Sequence, residues 1–275
     1  MPSPLRPAWK INLESFLGRG LPGHQGPVTK HFDGKRFHNL EPKPHKGLYR
    51  LLKWQLSRAP QPDWIEQPGP AQPPEIAERV TGADLHVTYI NHANLLIQQH
   101  GLNILTDPLW SERASPFQLI GPKRHHPPGL TLEQLPPIDL ILVSHNHYDH
   151  LDLHTLAQLA ERFPTAQVVS GLGNAALIRE SGFTRIAELD WWQSLALNAE
   201  VTLHSVPVQH WSARSTHDTN QTLWLGFVLQ SAQGAVLFPG DSGLGPEFKL
   251  IHQRFGPLRF AALPIGAYAP RWFMR

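Results

Sequence analysis

The stretch Ser144-His145-Asn146-His147-Tyr148-Asp149-His150 decides how the rest of the sequence reads. It follows Asp139–Ser144, a near-continuous apolar run of the kind that forms a strand buried on both faces. In α/β sheets, the loop leaving such a strand is where functional groups collect. His145 and His147 are two residues apart, so in extended backbone both imidazoles point the same way. Asp149 and His150 sit where the chain turns toward a helix expected over Leu153–Phe163, with Asp152 as its N-cap. Four ligating side chains within the six residues 145–150 can hold one cation and begin a second site. One loop histidine bonded to backbone is ordinary; this density is not.

Outward from that loop, short strands are expected at Leu85–Ile90, Asn94–Gln98 and Leu102–Thr106, the last two joined by a hairpin-like turn. Strands at Ala166–Ser170, Val201–Gln209, Thr222–Gln230, Ala235–Pro239 and near Phe260–Pro264 follow, with helices at Asn174–Ser181 and from Phe248. Hairpins first, then strands alternating with helices, predict sheets covered by helices, a layered α/β architecture. Residues 1–84 are expected to be an N-terminal extension. It carries a basic amphipathic helix over Lys46–Arg58 and a Pro-rich linker over Pro60–Pro74, and residues 85–275 form the main domain.

Composition narrows the chemistry. The 275 residues contain no cysteine, which excludes disulfides, thiolate metal sites and cysteine nucleophiles, and they contain 17 histidines. The 24 Lys+Arg against 22 Asp+Glu argue against nucleic acid as a partner, which draws a basic stripe. No apolar run approaches the ~18 residues of a membrane span, and the first residues lack a secretory h-region. A cytoplasmic protein is the expectation, with peripheral contact at a membrane surface left open.

The pattern His145-x-His147-x-Asp149-His150 resembles the signature of the metallo-β-lactamase fold. Further blocks resemble the N-acyl-phosphatidylethanolamine-hydrolysing phospholipase D group and its bacterial relatives. Among them are His31-Phe32-Asp33-Gly34, Thr106-Asp107-Pro108, Gly121-Pro122-Lys123-Arg124, Gln209-His210-Trp211-Ser212 and Gly240-Asp241-Ser242-Gly243. The resemblance implies an αββα sandwich and a binuclear metal hydrolase holding two Zn2+, with iron or manganese as alternatives. It implies that His145, His147 and His210 bind the first metal, that Asp149 and His150 bind the second, and that Asp241 bridges them. Asp149 and Asp241 are then the catalytic carboxylates around a hydroxide shared by the metals.

The resemblance also implies one more histidine for the second metal, from beyond the Arg271-Trp272-Phe273-Met274 block where this sequence ends. The expectation is therefore a truncated domain lacking its last strand and helix, with a second site short of one ligand. His252 is badly placed to replace it. Lys123, Arg124 and Arg214 are candidates for gripping a substrate phosphate, Arg because its fork pairs two oxygens at once. Asp107, and with it His92, is expected to orient the ligand histidines by hydrogen bonds. The expected substrate is an N-acyl phosphatidylethanolamine-like lipid or a small phosphodiester, and a homodimer is one expected assembly. A lactonase or similar hydrolase, or a degenerate metal-binding protein without activity, are the competing readings.

Overall fold

The computed structural model describes residues 7–17, 20, 22–42, 53–54, 56–57, 68–69, 74–117 and 119–266. Most of the expected Lys46–Arg58 helix and Pro60–Pro74 linker, and the whole 271–274 block, lie outside the described residues.

Two sheets form the centre. The first has six strands in the order β1 (Leu85–Asn91), β2 (Asn94–Gln99), β3 (Leu102–Thr106), β4 (Leu140–Val143), β5 (Gln167–Gly171) and β6 (Ile186–Leu189). Strands β1 to β3 run antiparallel as hairpins, whereas β3 to β6 are parallel. The second sheet runs β11 (Leu258–Ala261), β10 (Gly234–Phe238), β9 (Gly226–Ser231), β8 (Thr202–Val206) and β7 (Ser194–Ala196).

The two-residue period of the strands sorts their side chains into three cores. Leu95, Ile97, Ile104, Leu140 and Leu142 of the first sheet meet Leu203, Phe227, Leu229, Val236 and Phe238 of the second. Their neighbours Leu96, Leu105, Ile141, Val143 and Val168 face the other way, onto α2 (Leu153–Arg162) and α3 (Ala175–Arg179). Val206, Val228, Ala235 and Leu237 cover the outer side of the second sheet beneath Ile251 and Phe255 of α4 (Glu247–Phe255). The layers are therefore α, β, β, α. Strand β4 reads as a continuous apolar run because both of its faces are covered, and each such side chain contributes roughly 1.5–3 kcal/mol on burial.

Several boundaries differ from the expectation for local reasons. The strand from Val201 stops at Val206 because Pro207 has no N–H for the ladder. The strand expected from Thr222 begins only at Gly226, because the preceding amides are used elsewhere. Leu223 N–H donates to Leu172 O (2.8 Å) and Leu225 N–H to Ser144 O (3.0 Å), stitching the two sheets at their ends. Strands β6 and β7 are short and half-exposed, so they carry little apolar signal.

Packing crosses residue 84. Helix α1 (Ala8–Phe16) starts directly after Pro7 and inserts Ile11 into the core beneath α2, while Phe32 and Phe37 lie in the core between the sheets.

Candidate metal centre

The site forms where strand C-terminal ends converge. His92 follows β1, Asp107 follows β3, His145 follows β4, His210 lies four residues past β8, and Asp241 three past β10. Because β3 and β4 are parallel and in register, Asp107 arrives beside Ser144, and its N–H bonds Leu142 O at 2.8 Å. The His210 and Asp241 loops are tied by a bridge between Gln209 and Gly243. Gly240, at φ +60°, lets the Asp241 loop lie against the first sheet; a Cβ there would come within 2.5 Å of Ser144 Cβ.

Three imidazoles meet in the first cluster. His145 Nε2 is 2.8 Å from His147 Nδ1, and His210 Nε2 is 3.2 and 3.3 Å from those two atoms. A tetrahedral cation with metal–nitrogen bonds of ~2.0–2.1 Å has ligand–ligand edges of about 3.3–3.4 Å. The three nitrogens are thus set close to the corners of such a coordination sphere, and they fit it. Burial, reinforced by the neighbouring imidazoles, pushes His145 well below the ordinary histidine value, His147 to about 4 and His210 to about 3. All three are neutral at pH 7, with lone pairs available for a cation.

A second cluster adjoins the first. His150 Nε2 lies 3.7 Å from Asp149 Oδ2 and 3.3 Å from His92 Nε2, and His92 Nε2 is 3.2 Å from Asp149 Oδ2. Asp241 Oδ2 stands between the clusters, 3.5 Å from His150 Nε2 and 3.9 Å from His210 Nε2. Burial alone would raise both carboxyls, but hydrogen bonds and charge from the histidines dominate. His150 chiefly holds Asp241 at about 2, and Asp149 is lowered by His92 and His150. Burial likewise works against a charged His150, yet the Asp107, Asp241 and Asp149 carboxylates raise it well above the usual value.

One buried carboxylate sets the tautomers in both clusters. Asp107 is fully buried; Oδ1 accepts from Ser144 N–H (2.7 Å), and Oδ2 accepts from Ser144 Oγ–H and His150 Nδ1–H, each at 2.6 Å. Ser144 Oγ in turn accepts from His145 Nδ1–H at 2.9 Å. Both histidines therefore donate an Nδ1–H to this relay and turn Nε2 toward the clusters, the usual orientation behind a ligating imidazole. Ser144 is spent on this relay and is not a nucleophile.

The three basic residues do not join the cluster. Lys123 pairs with Glu112 at 3.1 Å, and Arg124 donates to Trp110 O at 3.3 Å. Arg214, expected to hold a substrate phosphate, is instead buried beneath the metal-binding loop. Its guanidinium donates to Asn146 O and Leu151 O (both 2.9 Å) and to Asn12 Oδ1 (2.7 Å), and it stacks on the Tyr148 ring. The fork that suits a phosphate suits two converging carbonyls equally well. His252 is exposed on α4.

Two supports escaped the sequence reading. Asn39 brackets the main chain of His210, donating to its carbonyl (2.8 Å) and accepting its N–H (3.1 Å), and Trp224 Nε1 donates to the same Asn39 side chain (3.0 Å). Asn12 anchors Arg214 from a helix that no strong pattern announces.

Comparison with known proteins agrees with this fold. Residues 102–275 match the model of the beta-lactamase superfamily domain. The chain is 36% identical over 211 residues to N-acyl-phosphatidylethanolamine-hydrolyzing phospholipase D 1 of Caenorhabditis elegans, covering 71% of this chain and 59% of that protein. This chain thus spans less than two thirds of that relative. It is also 30% identical over 184 residues to a metal-dependent hydrolase of Caldivirga maquilingensis, covering 66% of this chain and 70% of that protein. Among solved structures, a metallo hydrolase from Ignicoccus hospitalis superposes with a TM-score of 0.51 at 21% identity, over 66% of this chain and 71% of that one, which bears on fold alone. With its αββα layers and its histidine–aspartate clusters at the strand ends, the chain belongs to the beta-lactamase superfamily.

Proposed function

We propose that this chain is a metal-dependent hydrolase holding two cations, zinc first among them, and cleaving phosphodiesters of the N-acyl phosphatidylethanolamine type. The observation that carries the reading is the convergence of three neutral imidazole nitrogens within 3.3 Å of one another. Asp241 Oδ2 faces both this cluster and the next. An all-nitrogen and oxygen donor set suits zinc, iron or manganese. The substrate class rests on the similarity to the N-acyl-phosphatidylethanolamine-hydrolyzing phospholipase D 1 of C. elegans.

Cations bound here supply Lewis acidity and lower the pKa of coordinated water toward neutrality. The protein's own groups prepare the rest. Asp241, ionised across the physiological range, accepts a hydrogen bond and orients an attacking water between the two clusters. Asp107, directly and through Ser144, keeps Nε2 of His150 and of His145 turned toward the clusters. The mouth is partly apolar: Trp211 packs edge-on against His147 with ring centroids 4.4 Å apart and remains 47% exposed, and Leu244, three residues after Asp241, is also exposed. Such a rim suits an amphiphilic substrate better than a small polar one.

The test compares bis(p-nitrophenyl) phosphate and an N-acyl phosphatidylethanolamine with a lactone, before and after chelation. Chelator-sensitive cleavage of the diesters is expected. Lactone turnover without diester cleavage would identify a different hydrolase on this fold, and metal binding without turnover of any substrate would support a non-catalytic protein.

A further inference from the structure

The turn between β1 and β2 carries a histidine where the backbone favours glycine or asparagine. Asn91 pairs with Asn94, so His92 and Ala93 make the turn, and His92 adopts φ +42°, a conformation that L side chains rarely take. Such a residue persists where its side chain is needed. Packing does not explain it, since the ring remains 45% exposed. Its Nε2 instead reaches 3.2 Å from Asp149 Oδ2 and 3.3 Å from His150 Nε2. The separations of 3.2, 3.3 and 3.7 Å bracket the edge of about 3.3–3.4 Å that a tetrahedral cation requires.

We propose that His92 is a protein ligand of the second cation, together with Asp149 and His150, with Asp241 joining this site to the first. The inference rests on the metal-centre reading above and deepens it. It replaces the role of orienting residue, which Asp107 already fills for His150. It also fixes an order of affinity. Of the second site's own donors His150 is fully buried, but His92 and Asp149 have side chains 45% and 37% exposed, whereas His210 of the first site is 15% exposed. The second cation is therefore held more weakly and exchanges first.

The experiment is cobalt(II) binding by the full chain, measured by equilibrium dialysis with elemental analysis, alongside thermal unfolding of the metal-free protein. His92→Gly removes the ring while suiting the left-handed backbone, and His92→Asn is a second variant compatible with that turn. The wild type is expected to bind two ions, the second more weakly. Both variants keep the tight ion and lose affinity for the second by about tenfold or more. Metal-free His92→Gly unfolds at the wild-type temperature or higher, which a purely structural histidine would not allow. Two ions bound with unchanged affinity in both variants, or a single ion in wild type and variants alike, would overturn the role of His92 while leaving the first site standing. A wild-type chain that binds no cobalt would instead overturn the metal reading itself.

Discussion

Replacing Asp107 by asparagine changes one atom and reverses the logic of both clusters. The carboxylate accepts three hydrogen bonds: Ser144 N–H on Oδ1, and Ser144 Oγ–H and His150 Nδ1–H on Oδ2. An asparagine that keeps its oxygen toward Ser144 N–H places an NH2 group where Oδ2 was, facing two donors. His150 then loses the acceptor of its Nδ1–H and holds its proton on Nε2, the atom that faces Asp241 and Asp149. The Ser144 hydroxyl has to turn and donate to His145 Nδ1, which moves the His145 proton to Nε2, inside the three-histidine cluster. Each ligand loses an inward lone pair. Loss of such an orienting partner costs 10–100-fold in metal affinity, about 1.4–2.7 kcal/mol per site. The buried hydrogen-bond mismatch adds a stability loss of about 1–3 kcal/mol. Competition against a chromogenic chelator reads the first effect and urea unfolding the second. Wild-type affinity in Asp107→Asn would refute the assignment of Asp107 as the group that fixes both tautomers.

Other outcomes follow from the same contacts. Arg214→Lys is expected to destabilise the fold by about 2–4 kcal/mol, because one ammonium cannot serve Asn146 O, Leu151 O and Asn12 Oδ1 together; a change under about 0.5 kcal/mol in urea unfolding would place Arg214 outside the loop's support. The metal-free protein is expected to lose stability as pH falls from 6.5 toward 4. Burial keeps His147 (about 4) and His210 (about 3) unprotonated in the native state, while the unfolded chain takes up protons below 6.5, on the order of 2 kcal/mol per imidazole by pH 5. A melting temperature that stays level or rises between pH 7 and 5 would contradict those environments.

What the sequence disclosed, and what it hid, divides along physical lines. The run Leu140–Val143 announced a strand covered on both faces, and the spacing of His145, His147, Asp149 and His150 announced a cluster of donor side chains because residues so close together share one loop. His210 and Asp241 carry no local signal, since one follows a strand by four residues and the other sits in a glycine turn; resemblance pointed to them and the fold brings them to the cluster. Arg214 was misread because a guanidinium looks the same whether it meets a phosphate or two peptide carbonyls, and burial alone distinguishes them. His92 was expected to orient ligand histidines, and nothing in a two-residue hairpin turn reveals that its Nε2 comes within 3.3 Å of His150 Nε2, far along the chain. Strand β7 was missed for a simpler reason: three residues hold too few apolar positions to show a period.

The most direct measurement is X-ray absorption at the zinc K-edge on the zinc-loaded chain and on His147→Ala. The account predicts imidazole scattering at about 2.0–2.1 Å with a metal–metal vector near 3.5–4 Å in the wild type, and loss of that vector with fewer imidazoles in the variant. Coordination by oxygen alone, or spectra indistinguishable between the two proteins, would contradict it.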